Sequence, residues 1–301
     1  MPVIDDRCSL RSLAAEESLA GTASTIRHWL LIEHPGPWGR DGLLDARLPA
    51  GVGRGLWALE GTSGARVLLI RKPDREAADD AGPVRCFAVD TRDAWLGSQA
   101  LDRIEDAVRL DPRDRSSFRG DPGGETLFVV CTHGRRDPCC AERGRPIARV
   151  LADAFPDRTW ESTHVGGDRF AGNLVAFPHG LYFGRLEPSE APAIAQAYTE
   201  GRIGSLDRYR GRSCDPFPVQ AAERAVREHL GLDRIDDVAS VNVRRDGDRA
   251  AVVVFTTPRG RRGVRLERSP GPPMRLTCLA TVEQSRAVWT VLGIDPEDPE
   301  A

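Results

Sequence analysis

Three cysteines and the loop between them form the part of the sequence best suited to chemistry. The stretch CTHGRRDPCCAERGRP begins at Cys131 and contains the adjacent Cys139 and Cys140. Eight residues separate Cys131 from Cys140, and a loop of that length, with Gly134 inside it, can bring both thiolates to one centre. Thiolates are the usual ligands of iron–sulfur clusters, and the neighbouring arginines would lower the pKa of the thiols. The stretch therefore predicts a metal or redox site.

A second stretch, STHVGGDRFAGN, supplies an imidazole and a carboxylate. His164 follows a predicted strand and precedes Gly166 and Gly167, and Asp168 lies four residues after His164. Paired glycines allow the backbone to approach a bulky group closely. Both stretches come after the carboxyl ends of predicted strands, which is where ligands bind in open α/β sheets. We therefore expect the two stretches to contribute to one site.

The elements around these stretches alternate between strands and helices. A buried strand is predicted at 126–131, a helix that begins at Pro146, and a second strand at 158–162. A β-hairpin follows around Pro178-His179-Gly180, and Ser189 caps the next helix. This β-α-β and β-β-α order is the thioredoxin order, so we expect a central sheet with helices on its faces.

The predicted fold class is α/β and α+β, with a thioredoxin-like central domain flanked by smaller mixed α/β segments. The chain has 301 residues, which is more than one small core needs. We predict an N-terminal α+β segment at 1–110, a linker at 111–125, the thioredoxin-like domain at 126–200, and a C-terminal α+β segment at 201–301 that ends in a helix.

Composition excludes several classes of protein. A net charge of −3 gives no basic footprint for nucleic acid. No run approaches the roughly 20 apolar residues that span a bilayer, and the first residues lack the basic start of a signal peptide, so we expect a cytoplasmic protein that binds no membrane. Seven cysteines in a reducing compartment argue against a disulfide framework. Four of them are interpreted as small buried hydrophobes, namely Cys8, Cys86, Cys214 and Cys278.

The motifs resemble those of the sucrase/ferredoxin-like family over nearly the whole chain. The resemblance rests on CTHGRRDPCCAERG and THVGGDRFAGNLVAFPHGLYFG, supported by GTASTIRHWLLIEHPGPWG and YRGRSCDPFPVQAAE. It implies a thioredoxin-like domain that binds a 2Fe–2S cluster through Cys-x8-Cys and, in some members, His-x3-His. Cys131, Cys140 and His164 match those positions, and Asp168 occupies the place of the second histidine.

The fourth ligand is left open by the sequence. Asp168 stands at the matching position, although its oxygen is harder than iron bound to sulfide prefers. Cys139 has a softer donor atom but neighbours Cys140, and His133 lies inside the loop. We rank Asp168 first and Cys139 second. A further alternative is that Asp168 is not a ligand and instead orients His164 through the other ring nitrogen of that histidine.

The resemblance predicts a one-electron carrier that passes electrons between a reductase and an acceptor, its redox partner proteins. One alternative is a thiol–disulfide oxidoreductase on the thioredoxin-like fold, although the chain has no C-x-x-C. A second alternative is a non-redox binding module without a cluster. We expect an electron-transfer protein rather than a catalyst and assign no catalytic residue. A sucrase activity has no support, because sequence identifies no pair of carboxylates flanking a sugar bond.

Overall fold

A mixed nine-stranded sheet forms the centre of the computed structural model, which describes residues 7–73, 82–119 and 126–296. The strand order is β4-β3-β1-β2-β6-β5-β7-β8-β9. The pairs β1/β2 and β5/β6 are parallel, and the other neighbours are antiparallel. The strands are β1 (His28–Glu33), β2 (Arg66–Arg71), β3 (Val84–Asp90), β4 (Trp95–Leu101), β5 (Leu127–Cys131), β6 (Thr159–Ser162), β7 (Leu174–Phe177), β8 (Leu181–Phe183) and β9 (Tyr209–Arg212).

A four-stranded antiparallel sheet follows in the C-terminal part of the chain. Its strands are β10 (Ala239–Asp246), β11 (Ala250–Thr256), β12 (Arg262–Pro270) and β13 (Ala287–Pro296), in that order. The predicted terminal helix is wrong, because β13 pairs with β12 along its whole length. The apolar positions of β13, among them Trp289 and Val291, pack against the core of this sheet.

Helices pack around both sheets. The α-helices of the described residues are α1 (Cys8–Ala14), α2 (Val52–Ser63), α3 (Pro138–Ala154), α4 (Ala191–Thr199) and α5 (Phe217–Leu230). Helix α3 begins at Pro138, where the missing N–H costs no hydrogen bond, and the Asp137 side chain accepts a hydrogen bond from the Cys139 N–H. The predicted start at Pro146 is therefore two turns too late, and Cys139 and Cys140 lie in the first turn of the helix.

The prediction of a thioredoxin-like central domain is wrong. The local order β5-α3-β6 followed by β7 and β8 is present, but β6 also pairs with β2, with Ile70 opposite Ser162 and Arg71 opposite Glu161. Strand β6, the edge of the predicted unit, thus pairs with an N-terminal strand. The sheet extends through the N-terminal strands, and the architecture is mostly β. The physical reason is that an edge strand offers unpaired backbone groups to any partner, and the local sequence does not indicate which strand that partner is.

The domain boundaries at 110, 125 and 200 stay predictions. Residues 120–125 of the predicted linker lie outside the described residues.

Strand β5 separates two apolar cores and orients the first cysteine. Val129 and Cys131 belong to the core that contains Trp29 and Trp160. The alternate residues of the strand belong to the other core, beneath α3 and α4. All five residues of β5 are buried, as expected of a central strand. Within the described residues, no helix combines the length and the apolar character needed to cross a membrane.

Candidate metal centre

Three predicted site residues come together at one edge of the nine-stranded sheet. Cys131 ends β5, Cys140 lies in the first turn of α3, and His164 follows β6. The two Sγ atoms and a ring nitrogen of His164 all lie within 4.8 Å of one another. Because β5 and β6 are parallel neighbours, their carboxyl ends meet at the same edge. The structure therefore unites three side chains that are separated by up to 33 positions in the sequence.

Helix α3 approaches the end of β5 closely enough to place Cys140 beside Cys131. Gly144 is the residue that allows this approach, because a Cβ atom built there would lie 2.1 Å from the carbonyl oxygen of Cys131. The Cys131 N–H donates to the carbonyl of Asn173. The sheet thus sets the position of Cys131. Helix α3 sets the position of Cys140, and Gly144 allows this helix to lie close to the end of β5.

Asp168 contacts two of the three grouped side chains. Its Oδ1 lies 2.9 Å from Nδ1 of His164, and the Cys140 thiol donates to the same oxygen at 3.2 Å. The carboxylate is 3% exposed. The group whose ligand atoms all lie within 4.8 Å of one another consists of Cys131, Cys140 and His164, and it does not include Asp168.

The electrostatics of the group favour a buried thiolate next to a protonated imidazole. The neighbouring Cys140 thiol holds the pKa of Cys131 well below its usual range, against the effect of burial, and His164 adds to this lowering. The pKa of Cys140 is raised in turn by the Cys131 thiolate and by burial. Burial by itself lowers the pKa of His164, but Asp168 and Cys131 outweigh it and raise the value to about 9. A cation bound here would replace protons that the group already holds.

Arg210 holds the loop that carries His164 through buried hydrogen bonds. The sequence did not predict a role for this residue in the site. Its guanidinium is fully buried and donates to the carbonyl of Gly166 at 3.2 Å and to the side-chain oxygen of Asn173 at 2.7 Å. The Asn173 amide donates to the Gly167 carbonyl at 2.8 Å. Arg210 lies within the stretch YRGRSCDPFPVQAAE, so its presence in a motif was visible in the sequence. Its role was not, because the contact spans more than 40 residues.

The imidazole forms the accessible edge of the site. The His164 side chain is 23% exposed, whereas both cysteines are buried. His164 and Arg136 line two clefts, one of about 240 Å³ and one of about 550 Å³. Four further arginines line the larger cleft, namely Arg169, Arg210, Arg268 and Arg286. The larger cleft that leads to His164 is therefore strongly basic and suits an anionic ligand.

The other two candidate fourth ligands lie elsewhere. The Sγ of Cys139 is 3.3 Å from that of Cys278 and 3.7 Å from that of Cys8. Successive residues of a helix point about 100° apart, which directs Cys139 away from Cys140. Nε2 of His133 is 2.9 Å from the carbonyl oxygen of Gly39. Neither side chain belongs to the group formed by Cys131, Cys140 and His164.

Comparison with known proteins identifies the family. A family model described as sucrase/ferredoxin-like matches residues 19–211, which is more than half of the chain. The chain belongs to the sucrase/ferredoxin-like family. The resemblance drawn from the motifs is thereby confirmed, and the matched range includes all of Cys131, Cys140, His164 and Asp168. No solved structure gave a significant match.

Three curated relatives of this family member are yeast proteins that share the name "Altered inheritance of mitochondria protein 32". The protein of Meyerozyma guilliermondii is 30% identical over 46% of this chain and 54% of its own length. The protein of Debaryomyces hansenii is 28% identical over 33% of this chain and 40% of its own. That of Saccharomyces kudriavzevii is 24% identical over 44% and 46%, respectively. The chain thus spans about half the length of these relatives.

These findings overturn the prediction of a 2Fe–2S electron carrier. The matched family is the sucrase/ferredoxin-like one, and the yeast relatives are named for mitochondrial inheritance rather than for iron–sulfur binding or electron transport. The thiol–disulfide alternative rested on the thioredoxin-like fold, which the sheet topology also contradicts. The findings support a coarser statement: among the residues that the structure describes, two groups of cysteine-rich side chains have the spacing to bind a metal ion.

Proposed function

We propose that this protein is a metal-binding protein whose principal centre is held by Cys131, Cys140 and His164. The observation that carries the proposal is the convergence of three donor atoms, from a strand end, a helix start and a loop, to within 4.8 Å of one another. Two thiolates and an imidazole form a soft donor set, which selects zinc, copper(I) or iron with sulfide over magnesium or calcium.

The spacing of the donors fits a first-row metal. Zinc binds sulfur at about 2.3 Å and nitrogen at about 2.0–2.1 Å, so tetrahedral ligand atoms lie roughly 3.4–3.8 Å apart. The three donors fall within 4.8 Å of each other, and small rotations of the side chains suffice to close the remaining distance. The lowered pKa of Cys131 supports the proposal as well, because the thiolate is the form that binds metal.

Asp168 acts in this proposal as a positioning residue. Its contact with Nδ1 of His164 restrains the imidazole ring, and its hydrogen bond from Cys140 restrains the second thiol. Partners of this kind fix the orientation of metal ligands and raise their basicity. The proposal therefore takes Cys131, Cys140 and His164 as ligands and leaves a fourth position toward the basic clefts.

The identity of the bound group is the finer question. A single zinc ion would supply Lewis acidity at its open position, and a 2Fe–2S cluster would use the same thiolates and imidazole. We treat the two as alternative occupants that one analysis distinguishes. A cytoplasmic location remains part of the proposal, since free thiols need a reducing compartment. The redox partner proteins stay a prediction.

The test is metal and sulfide analysis of the full chain after anaerobic purification and after incubation with zinc or with iron and sulfide. We expect Cys140→Ser and His164→Ala to lose the centre and Cys214→Ser, a control cysteine outside both groups, to retain it. About two irons and two sulfides per chain identify a cluster, whereas a metal that is lost in Cys140→Ser and is accompanied by no sulfide identifies an ion at this centre. A protein in which Cys140→Ser binds as much metal as the parent contradicts the proposal.

A further inference from the structure

Three more cysteines converge at a second place, next to the first turn of α3. Cys8 begins α1, Cys139 lies in the first turn of α3, and Cys278 lies between β12 and β13. The Sγ atoms of Cys139 and Cys278 are 3.3 Å apart, those of Cys8 and Cys278 are 3.5 Å apart, and those of Cys8 and Cys139 are 3.7 Å apart. The three thiols thus form a closed triangle built from segments as much as 270 residues apart.

A carboxylate completes the group. Asp137 is fully buried, and its Oδ2 lies 3.6 Å from Sγ of Cys8. Its Oδ1 accepts a hydrogen bond from the Cys139 N–H at 2.9 Å, and its Oδ2 accepts one from the Cys278 N–H at 2.6 Å. A carboxylate has about four lone-pair positions, so these two hydrogen bonds fix its orientation and leave an oxygen lone pair for a metal.

The four donors match the dimensions of a closed zinc site. With a Zn–S distance of about 2.3 Å, tetrahedral sulfurs lie roughly 3.8 Å apart, and a carboxylate oxygen lies roughly 3.5 Å from each sulfur. The observed distances are 3.3–3.7 Å between sulfurs and 3.6 Å from Cys8 to Asp137. We propose that Cys8, Asp137, Cys139 and Cys278 bind a structural zinc ion, separate from the centre at Cys131, Cys140 and His164.

Ordinary packing explains the cluster less well than zinc does. Asp137 would cap α3 with or without a metal, so the argument rests on the three sulfurs. Cysteine is one of the rarer residues, and a thiol is a weak hydrogen-bond donor, so nothing in apolar packing requires three sulfurs in mutual contact. A disulfide bond has sulfurs about 2.05 Å apart, and the shortest separation here is 3.3 Å. Four protein donors with no open position are the pattern of structural zinc.

The position of the site suggests what the zinc would do. Helix α1 packs against the short turn Asp168–Phe170, and Cys139 precedes Cys140 in α3. Zinc would therefore tie α1 and the β12–β13 loop to the start of the helix that carries Cys140. Since metal binding to a structural site is also folding free energy, removal of this zinc would destabilise the contacts of α1 and of the β12–β13 loop.

Zinc stoichiometry tests the proposal directly. The full chain is loaded with zinc, passed over a desalting column, and analysed by mass spectrometry of the metal. The double variant C8S/C278S is expected to lose about one zinc ion per chain relative to the parent, and the matched control C86S/C214S to lose none. The variant C131S/C140S, which removes the first centre, is expected to keep this zinc. Retention of all zinc by C8S/C278S overturns the inference.

Alkylation of the parent protein keeps the test independent of whether variants fold. Native protein is treated with iodoacetamide with and without prior removal of zinc by a chelator, and each cysteine is identified by peptide mass spectrometry. We expect Cys8, Cys139 and Cys278 to become reactive together after chelation, while Cys86 is unchanged. Reactivity that does not depend on the chelator, or a disulfide between any two of the three, overturns the inference. Failure of the first centre would show instead as chelator-independent behaviour of Cys131 and Cys140 alone.

Discussion

Asp168 and His164 are neighbours in a buried contact, with Oδ1 of the carboxylate 2.9 Å from Nδ1 of the imidazole. Three residues, Val165, Gly166 and Gly167, separate them in the chain. Gly167 adopts a left-handed conformation with φ of 81°, and Asp168 begins the 3-10 turn Asp168–Phe170. The contact defines the orientation of the imidazole before any metal is bound. In the proposed centre the contact would give Asp168 a positioning role without making it a ligand.

The first prediction concerns that contact. Asp168→Asn removes the charge but keeps the size, so we expect the affinity for zinc at the first centre to fall by about 10–100-fold, the usual effect of losing such a partner. Affinity is measured by competition with a chromophoric chelator over a range of pH. Asp153→Asn, an exposed carboxylate on α3, is the control. An Asp168→Asn protein with the parent affinity would show that the carboxylate does not position the ligand.

The second prediction concerns the approach of α3 to β5. Gly144→Ala places a Cβ atom 2.1 Å from the Cys131 carbonyl oxygen, so the helix must move away, and we expect a loss of roughly 1–3 kcal/mol in the free energy of unfolding together with weaker metal binding. Gly61→Ala in α2 is the matched control, because a Cβ atom there meets nothing within 4 Å. Urea denaturation should find that control as stable as the parent or stabilised by up to about 1 kcal/mol.

The third prediction concerns a buried ion pair in α5. Glu223 accepts two hydrogen bonds from the Arg227 guanidinium, at 3.0 and 2.9 Å, and both side chains are almost fully buried. Glu223→Gln leaves the arginine charge uncompensated, and we expect a cost of roughly 3 kcal/mol. The same change at Glu228, which pairs with Arg224 in the same helix with half of its side chain exposed, should cost about 0.5 kcal/mol or less. Equal costs for the two variants in urea denaturation would contradict this account.

The fourth prediction is a pH dependence at His179. Burial, aided by the charge of Arg212, lowers the pKa of His179 to about 4, whereas an unfolded histidine has a pKa near 6.5. The neutral imidazole, 2.7 Å from the Tyr198 hydroxyl, is thus fully stabilising above about pH 6.5, and its contribution is lost as the pH falls toward 4.

Replacement of that histidine should flatten the acid limb of the stability curve. Between pH 7 and pH 4.5 we expect the parent to lose roughly 2–3 kcal/mol more than His179→Gln, as measured by denaturation at each pH. His229→Gln, at an exposed position of α5, is the control and should follow the parent curve. Parallel curves for the parent and His179→Gln would show that this histidine does not bind a proton on unfolding.

The sequence by itself determined the family and the residues that meet at the first centre. Cys131 ends a run of buried β-forming residues, and His164 follows the next strand, so the parallel pair β5/β6 places both at one edge. These relationships are local: they depend on strand ends and on a loop of eight residues between two cysteines. The buried β strand at Leu127–Cys131 was accordingly predicted nearly as the structure has it.

Tertiary structure alone decided the extent of the sheet, the strand β13 and the second cysteine cluster. The pairing of β2 with β6 joins residues about 90 positions apart, and β13 became a strand because β12 offered it an edge. The sequence interpretation takes Cys8 and Cys278 for small buried hydrophobes and ranks Cys139 as a fourth ligand of the first centre, so it does not group the three. The reason is physical: backbone edges and thiols carry no local signal of their partner, and which groups meet is settled only when the distant segments pack together.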